Sequence, residues 1–203
     1  MMRRIPLGRF GRDQSGAGAA EFAIVLPLFL IVLLGTLDIG LYAWSINRAE
    51  KAVQMGARYA VVTDMIPSGL YSYSFATSGG IPQGTVVPAS AFGGVTCDSN
   101  GCTCNATCNF STSPTAGVFD NIVTRMQTFY SGVDSDDVEV EYSHSGLGFS
   151  GDPNGPDVAP VVTVRLSGTA YQPVTFVLFG GSINLPDIEY SLTAEDSIGD
   201  EAN

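Results

Sequence analysis

The chain has 203 residues, 45% of them hydrophobic, and a formal charge of −11. Its charge is uneven: residues 64–203 hold sixteen acids against two bases, Arg125 and Arg165. So acidic a surface lacks the basic footprint that nucleic-acid phosphates require, which excludes that class of partner.

The first segment is basic, with Arg3, Arg4, Arg9 and Arg12 against Asp13 alone. A run of small residues follows, Ser15-Gly16-Ala17-Gly18-Ala19-Ala20, and leads into Glu21-Phe22. From Phe22 to Trp44 the 23 residues carry one charge, Asp38. A bilayer span needs roughly 20 apolar residues at about 1.5 Å each, so this run predicts a transmembrane helix. A buried core helix of a soluble domain would be shorter or apolar on one face only. A conventional secretory signal is ruled out by order, because its small-residue cleavage site follows the apolar run, whereas here the small residues precede it. Basic residues beside a span stay on the cytoplasmic side. The N-terminus is therefore expected inside and the acidic remainder outside.

The helix is expected to continue past the membrane to about Thr63. Ile46, Ala49, Val53, Gly56 or Ala57 and Ala60 recur at spacings of three and four, giving one apolar or small stripe. Pro67-Ser68-Gly69 should end it. Residues 69–114, rich in Gly, Ser, Thr, Pro and Tyr, read as a long loop. That loop contains Cys97, Cys102, Cys104 and Cys108. In an exported domain these four form two disulfides, with three pairings open, and they staple a loop over residues 95–110. The spacing lacks the paired C-x2-C knuckles of common zinc sites.

Ser113-Pro114 reads as a helix start, with Val118, Ile122, Met126 and Phe129 as its apolar face and Gly132 as its stop. Val138-Glu139-Val140-Glu141-Tyr142 alternates strictly, as a half-buried strand does. Val161–Leu166 and Ile183–Leu192 are the other strand candidates. The apolar segment 173–179 between them is of uncertain type and is expected to lie against the membrane-proximal helix. The fold class is thus α+β: a long N-terminal transmembrane helix, one further helix and a small antiparallel sheet packed on the long helix.

Few residues suggest chemistry. Asp134-Ser135-Asp136-Asp137 and the 151–157 loop match no twelve-residue EF-hand pattern and read as solvated acidic turns. His144 stands between two serines, with no acid or nucleophile signature around it. No phosphate-binding glycine loop, G-x-S-x-G or H-E-x-x-H motif occurs, so neither an enzyme nor a cofactor or metal is expected.

Several of these features together resemble the prepilin class, specifically the TadE-like minor pseudopilins of tight-adherence (Flp-type) pilus systems. They are Gly16 with its small residues, Glu21-Phe22, the apolar run containing Pro27, the Asp38-Ile39-Gly40 stretch, and Ala52 to Ala60. A looser likeness extends over the C-terminal run from Tyr171 to Glu195. The resemblance implies cleavage by a prepilin peptidase between Gly16 and Ala17, on the cytoplasmic side, the alternative being a cut after Gly18 that would leave Glu21 third. Residues 1–16 would then be the leader, 17–63 the membrane helix with its extension, and 64–203 the outer domain. It implies that Glu21, the fifth mature residue, pairs with a neighbouring subunit's Ala17 amine to set axial register, beside Phe22. For Asp38 the choice is between simply reaching water and an inter-subunit contact. Implied partners are the peptidase, other pilin or pseudopilin subunits, the assembly platform and membrane lipid. The implied location is the inner membrane, in a single pass. The competing expectation is an anchored binding or adhesion module that keeps its leader and never polymerises.

Overall fold

The computed structural model describes residues 16–194. The basic N-terminal segment through Ser15 and residues 195–203 lie outside the described residues. The first element, α1 (Ala17–Ala60), runs 44 residues without a break, through Pro27. Its end falls three residues before the expected Thr63, in a tight turn where Val62 N–H donates to Tyr59 O at 3.2 Å. Along its first half the apolar side chains are exposed, among them Phe22, Phe29 and Ile31. Along its second half a stripe of small residues is buried: Ala49, Ala52, Val53, Gly56, Ala57 and Ala60. One helix thus meets two environments, with bare apolar surface first and a docked domain after it.

That domain is a five-stranded antiparallel sheet in the order β2-β1-β3-β4-β7, packed on α1 together with a second helix. Its strands are β1 (Val95–Asp98), β2 (Gly101–Cys104), β3 (Val138–Ser143), β4 (Val161–Leu166) and β7 (Ile188–Thr193). Strict alternation places Val138, Val140 and Tyr142 of β3 inside, with Val162, Val164 and Leu166 of β4. In the register β3 pairs Val140 with Val164, and β4 pairs Val164 with Tyr190 of β7. The second helix, α2 (Val118–Gln127), buries Val118, Ile122 and Met126 against α1. The fold is α+β, as the sequence patterning predicts.

Three local expectations are corrected. Residues 69–114 are not loop throughout, since β1 and β2 form a hairpin inside them, paired to β3 through Cys97 and Val140. Helix α2 starts at Val118, not at Pro114. Pro114 instead bridges Pro67, and Thr115 N–H donates to Ile66 O at 2.6 Å. Tertiary pairing here overrides the local N-cap signal, and Gly117 at φ 76° turns the chain into the helix. The expected strand over 183–192 is two strands. Ile183–Asn184 (β6) pairs with Ala170–Tyr171 (β5), and β7 begins only after Pro186.

Tyr142 closes the core from the sheet side. It is fully buried, and its hydroxyl accepts the Ile66 N–H at 3.1 Å. Burial pushes its phenol far above the ordinary value of about 10. A raised folded-state value means that this group's contribution is complete below about pH 10 and is lost as the pH rises past it. Domain stability is therefore expected to fall above about pH 10. Tyr142→Phe should lower stability by about 1–3 kcal/mol at pH 8, because Ile66 N–H is left unpaired. It should also flatten the alkaline fall. Unfolding curves at pH 8 and 11 check both; an unaltered alkaline slope contradicts the assignment.

Candidate functional site

The residues singled out from sequence fall into two places on α1. Gly16, Ala17, Glu21 and Phe22 lie together at its exposed start. Phe22 is 64% exposed, and among the described residues nothing outside α1 comes within 4 Å of the Cβ position at Gly16. Asp38 lies seventeen residues beyond Glu21, about 25 Å up the helix axis, so the two acids cannot share a site.

Asp38 does not simply reach water. It is 8% exposed, and its Oδ1 accepts Val174 N–H at 2.7 Å while Oδ2 accepts Thr175 N–H at 2.9 Å and the Thr175 hydroxyl. It thereby caps the short helix α3 (Val174–Phe179). The expectation that 173–179 lies against the long helix holds, and this carboxylate is what fastens it. One turn further along α1, the Tyr42 hydroxyl donates to Asn184 O at 3.2 Å, and its ring meets Tyr171 with centroids 5.5 Å apart. Next comes Arg48. Its guanidinium lies 4.7 Å from the centre of the Trp44 ring, and its Nε donates to Phe129 O at 2.8 Å, tying α1 to the end of α2. The Trp44–Arg48 spacing of four is a helix-neighbour signal that could have shown this stacking in the sequence. The Asp38–α3 contact had no such signal, because its partner is 136 residues away.

The cysteines pair as Cys97–Cys102 and Cys104–Cys108. The first disulfide links directly opposed residues of the β1–β2 hairpin, and the second ties β2 to the loop after it. Among the described residues no cluster of His, Cys, Asp and Glu has the makings of a metal site. His144 Nε2 lies 2.8 Å from Val87 O, a fastening between loops.

The acidic turns are partly structural. Asp157 departs from the solvated expectation: it is 5% exposed, accepting Phe75 N–H at 2.6 Å and Asp152 N–H at 3.1 Å. Asp137 accepts the Thr169 hydroxyl, and Asp136 the Ser99 hydroxyl, both at 2.8 Å. On the outer face of the sheet, Arg165 sits among three glutamates, at 3.0 Å from Glu189, 2.9 Å from Glu139 and 2.8 Å from Glu141. Bonding to Glu189 first, then Glu139, holds its guanidinium above even the usual arginine value.

Geometrically, then, the chain offers a bare apolar half-helix with a small-residue junction at its start and a folded acidic domain at its other end. Residues 16–58 match the family model described as TadE-like protein, covering the junction, the apolar run and the small stripe through Arg58. No curated protein and no solved structure matches the chain.

Proposed function

We propose, from the TadE-like segment at residues 16–58, that this chain is a minor pilin-like subunit of an adhesive Flp/Tad-type pilus or of its assembly platform. Its helix crosses the inner membrane once, with the leader in the cytoplasm and the acidic domain outside. A prepilin peptidase removes residues 1–16. No catalysis by the chain itself is needed: its partners are the peptidase, other pilin or pseudopilin subunits, and lipid.

The observation that carries this reading is the form of α1. It is 44 residues long, and its apolar half is almost wholly uncovered. A core helix would be mostly covered, whereas this one leaves its apolar half free for lipid or for neighbouring helices. At its start Gly16 is exposed and clear of the rest of the described residues, which suits a peptidase substrate, and Glu21 stands exposed one turn beyond Ala17. A carboxylate there pairs with the new Ala17 amine of a neighbour at less cost than it would bear deeper in lipid. Two disulfides in the outer domain suit an oxidising compartment.

Leader removal and assembly separate this function from the anchored, leader-retaining module. In the native host, Gly16→Ala is expected to block most leader removal, seen as an uncleaved band, and to abolish piliation. Glu21→Ala is expected to leave cleavage largely intact and to reduce pili strongly. Unchanged processing in the first variant overturns the cleavage site, and normal piliation in the second overturns the register role.

A further inference from the structure

The geometry points to a second membrane contact: the excursion from Tyr171 to Asn184, built around α3, is a foot that rests in the outer leaflet beside α1. This rests on the reading of α1 as a membrane-spanning helix.

Depth along α1 is the first observation. Between Glu21 and Arg48 the only charged residue is Asp38. Counting from Glu21 at the inner boundary, Asp38 sits about 25 Å along the helix, inside a hydrocarbon core of about 30 Å. The interface is marked further out, by Trp44, which is 56% exposed, and by the Arg48 guanidinium over its ring. An aromatic ring and a snorkelling cation of this kind belong at the headgroup level. Helix α3 starts at Asp38, on the lipid side of that belt by six to ten residues, or about 9–15 Å.

Composition is the second. Residues 166–186 contain no Asp, Glu, Lys or Arg, although the surrounding domain is strongly acidic. Helix α3 reads Val-Thr-Phe-Val-Leu-Phe, and its one polar side chain, Thr175, is spent on Asp38. Val174 is 48% exposed and Ile183 is 42% exposed, and on α1 the residues flanking Asp38, Leu37 and Ile39, are bare as well. The apolar surface of the span thus continues onto the foot without a charged interruption.

Third, the polar backbone of the foot is fastened where lipid would penalise it. The Val174 and Thr175 N–H groups go to Asp38, Gly180 N–H goes to Phe176 O, and Asn184 O goes to the Tyr42 hydroxyl. A short apolar helix so fastened suits the acyl–headgroup boundary, where interfacial elements sit about 5–10 Å deep. Two contacts, span and foot, would fix the rotation of α1 about its axis and hold the domain at one tilt.

The test is lipid quenching of tryptophan in the full-length protein in nanodiscs. The only native tryptophan is removed by Trp44→Phe. Single probes are then placed by Leu30→Trp in the span, Val174→Trp and Ile183→Trp in the foot, and Val86→Trp on the distal, 56% exposed loop. The lipid is phosphatidylcholine brominated on its acyl chains, near the headgroup or near the bilayer centre. Both foot probes are expected to be quenched several-fold more than the Val86 probe, and more by the shallow bromines than by the deep ones. The Leu30 probe should respond most to the deep bromines. Foot probes no more quenched than the Val86 probe, with Leu30 quenched, overturn the foot and leave it facing water or another subunit. An unquenched Leu30 probe overturns the span itself. Two foot positions guard against one substitution dislodging α3.

Discussion

Gly56→Val is expected to destabilise the folded domain by about 1–3 kcal/mol, the usual cost of overpacking a filled core. A Cβ at this position would stand 2.6 Å from Met126 Cγ and 2.9 Å from its Sδ, with Val164 Cγ1 at 3.7 Å behind. Met126 is itself completely buried, so its chain has no solvent to swing into. The glycine is what lets α2 lie close on α1, and the alanines on either side extend the same shallow stripe. For a domain of this size the loss should lower the melting temperature by about 2–4 °C per kcal/mol, measurable by near-UV circular dichroism in detergent. A double-mutant cycle makes the cause specific. Met126→Ala alone should cost about 2–5 kcal/mol by leaving a cavity. Combined with Gly56→Val it should cost less than the sum, since the new methyl groups occupy the vacated space. Strict additivity would mean that the two side chains do not meet.

Asp38→Ala should release α3 from the long helix. The substitution strands two backbone N–H groups and a hydroxyl, each costing on the order of 1–3 kcal/mol if no water reaches it. A carboxylate in this position is tolerated because three donors replace its water. Amide exchange at Val174 and Thr175 should rise at least tenfold, while the amides of β4 stay protected. Asp38→Asn keeps one good acceptor oxygen and should fall between. If neither variant changes exchange in the 170–184 excursion, the cap is not what holds it. Global melting should move less than exchange at these amides, because α3 lies outside the five-stranded sheet.

How much of this was legible in the sequence depended on where the physics was local. The length and hydropathy of α1, the strict alternation of β3 and the apolar run of β4 are carried by neighbouring residues, and the structure has all three. The β1–β2 hairpin was missed because Thr, Cys, Asp and Gly dilute the alternation that marks a strand. Its signal was Asp98 at the first and Gly101 at the fourth position of the turn, where Asp98 Oδ1 accepts the Asn100 and Gly101 N–H groups, at 2.7 and 3.1 Å. Ser113-Pro114 misled for the opposite reason: a good local helix start was taken up by pairing with residues 65–68 from the far side of the loop. Pro186 was visible as a ladder breaker and accounts for the divided strand. Asp38 was legible as an oddity in an apolar run but not in its role, since no spacing rule links it to Thr175. The small-residue run at Gly16 and the acid at Glu21 are exposed at the start of α1.

The most direct measurement is therefore the intact mass and N-terminal sequence of the protein purified from its own host's membranes. Prepilin-type processing predicts a chain beginning at Ala17 and lighter by residues 1–16. A mature chain that still begins with the basic leader would contradict the pilin account and leave an anchored module.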